Sequence, residues 1–274
     1  MKQPGDMPET EDLDDVMSRL EESRRYTDLR LGIMSALTDA RDAQYSFLRA
    51  ERLQQCSYII LGCLACEDRA RSLQHAIEHL TDQALDMLLG VLQQHMNHRT
   101  DIKPILALER GVTEDEHSAA LKLLEIMCLV SERTREVAHE RNACAVLLAK
   151  LEADVEEGTL AGACLDTLLA LLADSPLNQQ DFLAEDGLAR VCQVLLRQHS
   201  PSCQILCCKA LNLLVTHILP GSTSTAAEVL EEHMGGASAK LLSSPVPFEE
   251  YPRREDMETC LQKVAISALA KLPA

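Results

Sequence analysis

The sequence contains no tryptophan, and phenylalanine and tyrosine together make up only 3% of its 274 residues. Because β-sheet proteins draw their cores largely from aromatic and β-branched side chains, this scarcity argues against an all-β fold. Apolar residues nevertheless account for 46% of the chain, so leucine, alanine, valine and isoleucine must build a sizeable core. The composition therefore favours stacked helices.

Basic residues are also scarce: 26 Lys and Arg stand against 43 Asp and Glu, which gives a formal net charge of -17. Such a chain repels nucleic acid unless it carries a basic stripe. The densest basic cluster, at Arg24, Arg25 and Arg30, has acidic residues on both sides. We expect no nucleic-acid partner and no membrane insertion, and we expect protein partners with basic or mixed surfaces.

Long apolar runs are absent, and the N-terminal segment is acidic and lacks the apolar core of a secretion signal. The eleven cysteines are an odd number, and nearly all lie within apolar helical runs. We interpret them as buried thiols of a reducing compartment, which predicts a cytosolic or nuclear protein, and of the two we expect a cytoplasmic one.

Almost the whole chain beyond residue 12 carries helical patterns, with no sustained strand alternation. We divide it into a flexible acidic tail (1–11), a helical domain (12–242, clearest repeats at 114–219), a proline-rich loop (243–254) and a C-terminal helix (255–274). The predicted helices span 12–22, 25–41, 44–65, 70–97, 101–110, 114–130, 132–139, 141–153, 158–173, 177–185, 187–198, 202–219, 225–234 and 255–271.

Residues typical of helix ends support these boundaries. Capping boxes are predicted where a threonine precedes a glutamate by three positions, and serine before proline suits a helix start. A glycine between two helical runs predicts a turn. The positions are Thr113 with Glu116, Thr225 with Glu228, Ser175-Pro176, Ser200-Pro201 and Gly187.

The helical runs repeat along the chain. The segments at Val137 and Phe182 align at an offset of 45, the helices 164–172 and 210–218 at 46, and the helices 120–131 and 164–175 at 44. Stacked units of this length, each a short helix followed by two longer ones, are typical of the armadillo class. The sequence therefore predicts an all-α, armadillo-like (ARM/HEAT) right-handed superhelical solenoid.

The stretch DTLLALLADSPLNQQDFLAEDGLARVCQVLLRQ, followed by CKALNLLVTHILP, resembles armadillo repeats and, more closely, the cell division control protein 14 family. That family is the armadillo-like component of the septation initiation network and is unrelated to the phosphatase of the same name. The resemblance covers roughly 113–220. It implies a non-catalytic partner of a germinal-centre-type protein kinase in septation, associated with the cytoskeleton or spindle pole.

Protein binding by such a solenoid is expected on the third helix of each unit. Register places Lys122, Asp166 and Asn212 at equivalent positions, and with Lys209 they are the predicted protein-binding residues. The asparagine ladder of peptide-binding armadillo proteins is missing, because Leu123, Thr167 and Leu213 occupy its positions. We predict a scaffold with no catalytic residue, cofactor or metal, and leave a structural role in a cytoskeletal or ciliary microtubule assembly as the alternative.

A remote alternative is a zinc peptidase, since His75, Glu78 and His79 form an H-x-x-E-H pattern. The pattern is short and arises by chance in a helix rich in His and Glu, so a polar helix face is the preferred explanation. Cys63 and Cys66 form a single C-x-x-C without the second pair that a structural zinc site needs. We interpret them as core thiols of a buried helix.

Overall fold

A computed structural model describes residues 13–64, 67–94, 111–154, 159–198, 200–219 and 223–236. These residues form helices and their connections and include no strand. The all-α prediction is therefore confirmed for them. The helices are α1 (Leu13–Asp42), α2 (Ser46–Leu64), α3 (Glu67–Gln93), α4 (Glu114–Val130), α5 (Glu132–Glu140), α6 (Ala143–Ala153), α7 (Ala161–Leu172), α8 (Pro176–Ala184), α9 (Gly187–Arg197), α10 (Pro201–Leu213) with a π-helical turn (Leu214–Ile218), and α11 (Thr223–Met234).

Helix α1 differs from its prediction. Two helices, 12–22 and 25–41, were expected, but α1 runs without a break. Ion pairs between residues four apart, Arg25 with Glu21 and Arg24 with Asp28, bridge the expected gap, and neither glycine nor proline interrupts the first five turns. The predicted helices at 101–110 and 255–271 lie outside the described residues, as do the acidic tail and the proline-rich loop.

The helices pack in two layers. In the first layer α1 contacts α3, α3 contacts α6, α6 contacts α9, and α9 contacts α11. In the second layer α2 contacts α4, α4 contacts α7, and α7 contacts α10. The short helices α5 and α8 contact each other and lie between units. This arrangement is compatible with an α-solenoid, and it includes α1 to α3, where the sequence showed no repeat.

The spacing between units is one residue shorter than the sequence comparison indicated for the short helices. Ser131 and Ser175, 44 residues apart, are the N-caps of α5 and α8. Asn142 and Asp186, also 44 apart, both have left-handed backbones and precede α6 and α9. The offset of 45 is therefore wrong here: it aligned bulky side chains, whereas the backbone turns define the unit.

Gly187 makes a close contact and does not provide the turn. The left-handed residue is Asp186, with φ 53°, and Gly187 is the first residue of α9. A Cβ atom at position 187 would clash with the Phe182 ring. In the preceding unit, alanines at 138 and 143 take these places. The larger Phe182 therefore requires the smaller residue beside it.

Most predicted caps are confirmed. Ser175 and Ser200 each precede a proline in the first helical turn, and the Thr113 amide donates to Glu116 Oε2 at 2.9 Å in a capping box. The cap at Thr225 is wrong, because α11 already begins at Thr223.

The polar stretch that begins α8 has a structural role. Asn178 is buried and donates from Nδ2 to the Arg135 carbonyl, 2.8 Å away in the preceding unit. Gln179 donates to the Leu172 carbonyl at 2.9 Å. His139 Nδ1 lies 2.6 Å from Asp181 Oδ2. These contacts join α8 to the preceding unit. They account for the polar residues at the start of α8 by packing, so no ligand is needed to explain them.

The cysteines belong to the core. The nine that the structure describes are all buried and form no disulfide, which confirms their interpretation as core thiols for these positions. Burial raises the pKa of most of them, for example that of Cys164 to about 12. They therefore remain neutral near pH 7 and pack as small apolar side chains. None of the described helices is both long and apolar enough to cross a membrane.

Candidate protein-binding face

The second layer has one side turned away from the first. We call this side the open face. It consists of the exposed positions on α2, α4, α7 and α10, together with half-buried positions beside them. Its principal members are Phe47, Tyr58, Leu61, Lys122, Glu125, Leu129, Asp166, Leu206, Lys209 and Asn212.

Neighbouring helices of the second layer are joined by contacts beneath the open face. Arg49 on α2 forms a buried ion pair with Glu116 on α4, and Ser46 Oγ lies 2.7 Å from Thr113 Oγ1. Both contacts join residues 67 positions apart, so α2 and α4 run parallel. On the next pair, Thr167 Oγ1 donates to the Leu121 carbonyl at 3.2 Å. The helices therefore form a continuous surface.

The centre of the open face carries a cluster of three charges. Lys122 Nζ donates to both carboxylate oxygens of Glu125 at 2.9 Å. Neighbouring side chains partly desolvate the exposed Asp166 on the adjacent helix, which raises its pKa; the negative charge of Glu125 raises this pKa further, and Lys122 lowers it. Two carboxylates, those of Glu125 and Asp166, thus lie beside the single ammonium group of Lys122, and a further cation beside Asp166 would be stabilised.

The structure refines the register of the predicted residues. Lys122 and Asp166 are both exposed and lie 44 residues apart, within matching burial patterns. The same pattern recurs on α10 after 43 residues and places Lys209, rather than Asn212, in their register. Asn212 corresponds to Glu125, almost one turn further on. Lys209 and Asn212 are half-buried, and each already takes part in a polar or electrostatic interaction.

Sequence reasoning missed the aromatic part of the open face. The segment around Tyr58 was expected to be a buried helix, but only part of it is. Ile60 and Cys63 are buried, whereas the Tyr58 side chain is 72% exposed and Leu61 is 44% exposed. Phe47, 67% exposed, lies on the same face three turns earlier and stacks on Tyr45 with ring centroids 5.9 Å apart.

A signal for this patch exists in the sequence. Three of the seven aromatic residues fall between 45 and 58, and Phe47, Tyr58 and Leu61 have the spacing of one helical face. With so few aromatic side chains in the chain, their concentration on one helix favours an exposed binding role over random placement.

The H-x-x-E-H pattern lies in the first layer, on α3. The His75 and His79 rings pack against each other with centroids 4.8 Å apart, and both contact Tyr26 on α1. Glu78 Oε2 lies 3.5 Å from His75 Nδ1. Among the described residues, no group of three or more His, Cys, Asp or Glu side chains is arranged to hold a metal ion. Cys63 is buried, and Cys66 lies outside the described residues.

Comparison with protein-family models, with curated proteins and with solved structures finds no match to this chain. The functional argument therefore starts from the open face itself.

Proposed function

We propose that the protein is a non-enzymatic scaffold that binds a protein partner on its open face. In this proposal the two layers form an armadillo-type right-handed superhelix, and Lys122, Asp166, Lys209 and Asn212 lie within the contact area. The aromatic residues of α2 are added to the four predicted positions. A cytoplasmic location follows from the same interpretation.

The exposed aromatic patch is the observation that carries this proposal. Phe47 and Tyr58 are both exposed on α2, although the chain contains only seven aromatic residues. Large exposed apolar side chains that share one helix face, as Tyr58 and Leu61 do, commonly mark an interaction site. Aromatic side chains are also among the residues that contribute most to binding energy at protein interfaces.

The charge pattern specifies the partner further. Leucine and aromatic side chains on α2 and α4 favour an apolar contact, while the excess carboxylate charge around Asp166 favours Lys or Arg opposite it. The net charge of -17 steers basic surfaces toward the protein. We therefore propose a partner that presents an amphipathic segment with apolar and basic residues, such as a helix laid across the face.

A regulatory role completes the proposal. The resemblance to the septation family suggests a protein kinase of the germinal-centre type as the partner, with cell division as the process. This protein would then position or activate the kinase without taking part in phosphoryl transfer. A purified complex that contains such a kinase would support this part of the proposal independently of the face.

Quantitative affinity capture with matched variants tests the face. We expect Phe47→Ala combined with Tyr58→Ala, and separately Asp166→Lys, to lose partners that the wild-type protein retains. Leu177→Ala on α8 and Asp174→Asn in the turn before it are the controls, since both residues are exposed but lie off the open face. The captured partner should then be purified and titrated against all variants.

Two results would overturn the proposal. Equal partner binding by the wild-type protein and the α2 double variant would remove the aromatic patch from the interface. Equal loss in the face variants and in the controls would show a general effect on folding instead.

A further inference from the structure

A cleft of about 480 Å³ separates α1 and α3, away from the helices of the open face. Three α1 residues, Arg19, Ser23 and Tyr26, face three α3 residues across it. Those on α3 are Arg71, Ser72 and His75. Glu22 is the one acidic side chain among the lining residues. The cleft is thus rich in hydrogen-bond donors in a protein whose overall charge is strongly negative.

The Ser72 hydroxyl is the most informative lining group. The residue is 5% exposed, and its Oγ atom has no hydrogen-bond partner. Other buried helical hydroxyls in this region do have one: Ser57 donates to the Leu53 carbonyl and Thr81 to the Ile77 carbonyl. A buried hydroxyl without a partner is unfavourable, so a ligand oxygen at this wall would satisfy it.

The guanidinium groups determine the charge that the ligand must carry. Arg71 is exposed and has no ion-pair partner among the described residues, and Arg19 lies across the cleft on α1. Arg19 also takes part in another interaction, so Arg71 is the guanidinium that remains for a ligand, and Glu22 is the one carboxylate among the lining residues. Arginine forks match the oxygens of phosphate with paired hydrogen bonds, which a spherical cation such as Zn²⁺ cannot use.

Aromatic contacts hold the wall of the cleft in place. The Tyr26 ring lies 5.0 Å from the His75 ring and 6.2 Å from the His79 ring, between centroids. This packing connects α1 to α3 and fixes the half-buried phenol beside Arg71 and Ser72. His75, which together with His79 suggested a zinc site in the sequence, therefore forms part of the wall of a cleft suited to an anion.

From these observations we propose that the α1–α3 cleft is an anion site that binds the phosphate group of a phosphate monoester. The cleft is larger than one phosphate group, so it also accommodates part of the molecule that carries it. The carrier is either a phosphorylated serine or threonine side chain or a small phosphorylated compound, since both present the same dianion. This site lies in the first layer and does not depend on the proposed role of the open face.

Isothermal titration calorimetry on the full chain tests the site. The probes are inorganic phosphate, a short glycine-flanked phosphoserine peptide and the same peptide without phosphate. We expect saturable binding of a phosphorylated probe that weakens with added salt, because part of the attraction is electrostatic. Tighter binding of the phosphopeptide than of inorganic phosphate would indicate a phosphorylated side chain. Equal binding would indicate recognition of the bare group.

Variants locate the binding. Arg71→Gln should weaken it about tenfold or more, and Ser72→Ala about threefold to tenfold. Arg133→Gln is the matched control, because Arg133 is a surface arginine on α5 paired with Glu136. Circular dichroism melting checks that each variant is folded. Arg71 should tolerate the change, because it is exposed and has no ion pair with any residue that the structure describes.

Several outcomes would overturn the proposal. They are the absence of saturable binding to any phosphorylated probe, equal binding of the unphosphorylated peptide, and unchanged binding in both cleft variants. Zn²⁺ binding that His75→Ala abolishes, without phosphate binding by the wild-type protein, would restore the metal interpretation.

Discussion

The helices α4 to α10 and the helices α1 to α3 continue the same two layers but differ in construction. Between the units that begin at α5 and α8, the N-caps and the left-handed turns recur after 44 residues, and the burial pattern of α4 recurs on α7 and α10. In α1 to α3 the helices are longer, no unit repeats, and exposed aromatic residues and the arginine-lined cleft occur together. The irregular helices therefore carry the exposed aromatic residues and the cleft, whereas the regular helices carry the charged residues of the open face.

The largest expected loss of stability comes from removing the buried ion pair between these two regions. Glu116 on α4 is fully buried against Arg49 on α2, and it also accepts the Thr113 amide. Glu116→Ala leaves the Arg49 charge buried without its partner, which should lower the free energy of unfolding by about 3–5 kcal/mol. Urea denaturation measures this loss.

The control for this change lies on the same helix. Glu125→Ala removes only a pair with the exposed Lys122 and should cost less than about 1 kcal/mol. Similar losses in both variants would show that the buried pair does not hold the two regions together.

The next effect concerns the regular region alone. Gly187→Ala places a Cβ against the Phe182 ring and should lower the free energy of unfolding by about 1–3 kcal/mol. Ala143→Gly at the equivalent position should change it by no more than about 1 kcal/mol. Combining Gly187→Ala with Phe182→Leu should recover part of the loss in a double-mutant cycle. Full additivity would contradict the proposed contact.

The ion pair between the two regions should also make the stability of the protein depend on pH. Burial raises the pKa of the Glu116 carboxyl, but hydrogen bonds from Arg49, Ser46 and the Thr113 amide outweigh it, so this pKa lies below its ordinary value of 4.5. The unfolded chain therefore takes up the proton first as the pH falls. The stabilisation is complete above the unfolded-state pKa and is lost as the pH falls through the folded-state value.

Urea unfolding of the Glu116→Gln variant at pH 7 and at about pH 3.5 checks this expectation. The variant should be less stable at neutral pH but should lose less on acidification than the wild-type protein. Parallel pH profiles for the two proteins would assign the acid sensitivity to other carboxylates.

The smallest expected change in stability is at the open face. Phe47→Ala and Tyr58→Ala should each alter the free energy of unfolding by no more than about 0.5 kcal/mol, because both rings are exposed. Thermal or urea unfolding of the purified variants measures it. A loss above about 2 kcal/mol would mean that these rings pack in the core in solution, since only buried aromatic residues cost that much.

Local sequence patterns predicted the helices and most of their ends because caps such as Thr113 and Ser175 act within a few residues. They missed the continuity of α1, where the Glu21–Arg25 pair replaces an expected break. They also misaligned the short helices by one residue. The error arose because the alignment matched the bulky Phe182 with Val137. The left-handed turn at Asp186, which gives the correct offset, is visible only in the backbone.

The candidate sites were harder to predict because they depend on distant parts of the chain. Tyr26 meets His75 only after α1 and α3 pack, so the arginine-lined cleft has no local signature. Periodicity alone also could not tell which side of α2 stays exposed. That side is set by the packing of α4 and α1 against the helix. Lys122 and Asp166 were found because each lies one position after a recognisable repeat residue.

Hydrogen–deuterium exchange of the protein with and without its captured partner tests the open face most directly. Binding there should slow exchange in peptides from α2 and α4, with smaller changes in α7 and α10 and none in α5 and α8. Protection confined to α5 and α8, or protection of α2 that persists in the Phe47→Ala, Tyr58→Ala double variant, would contradict the account.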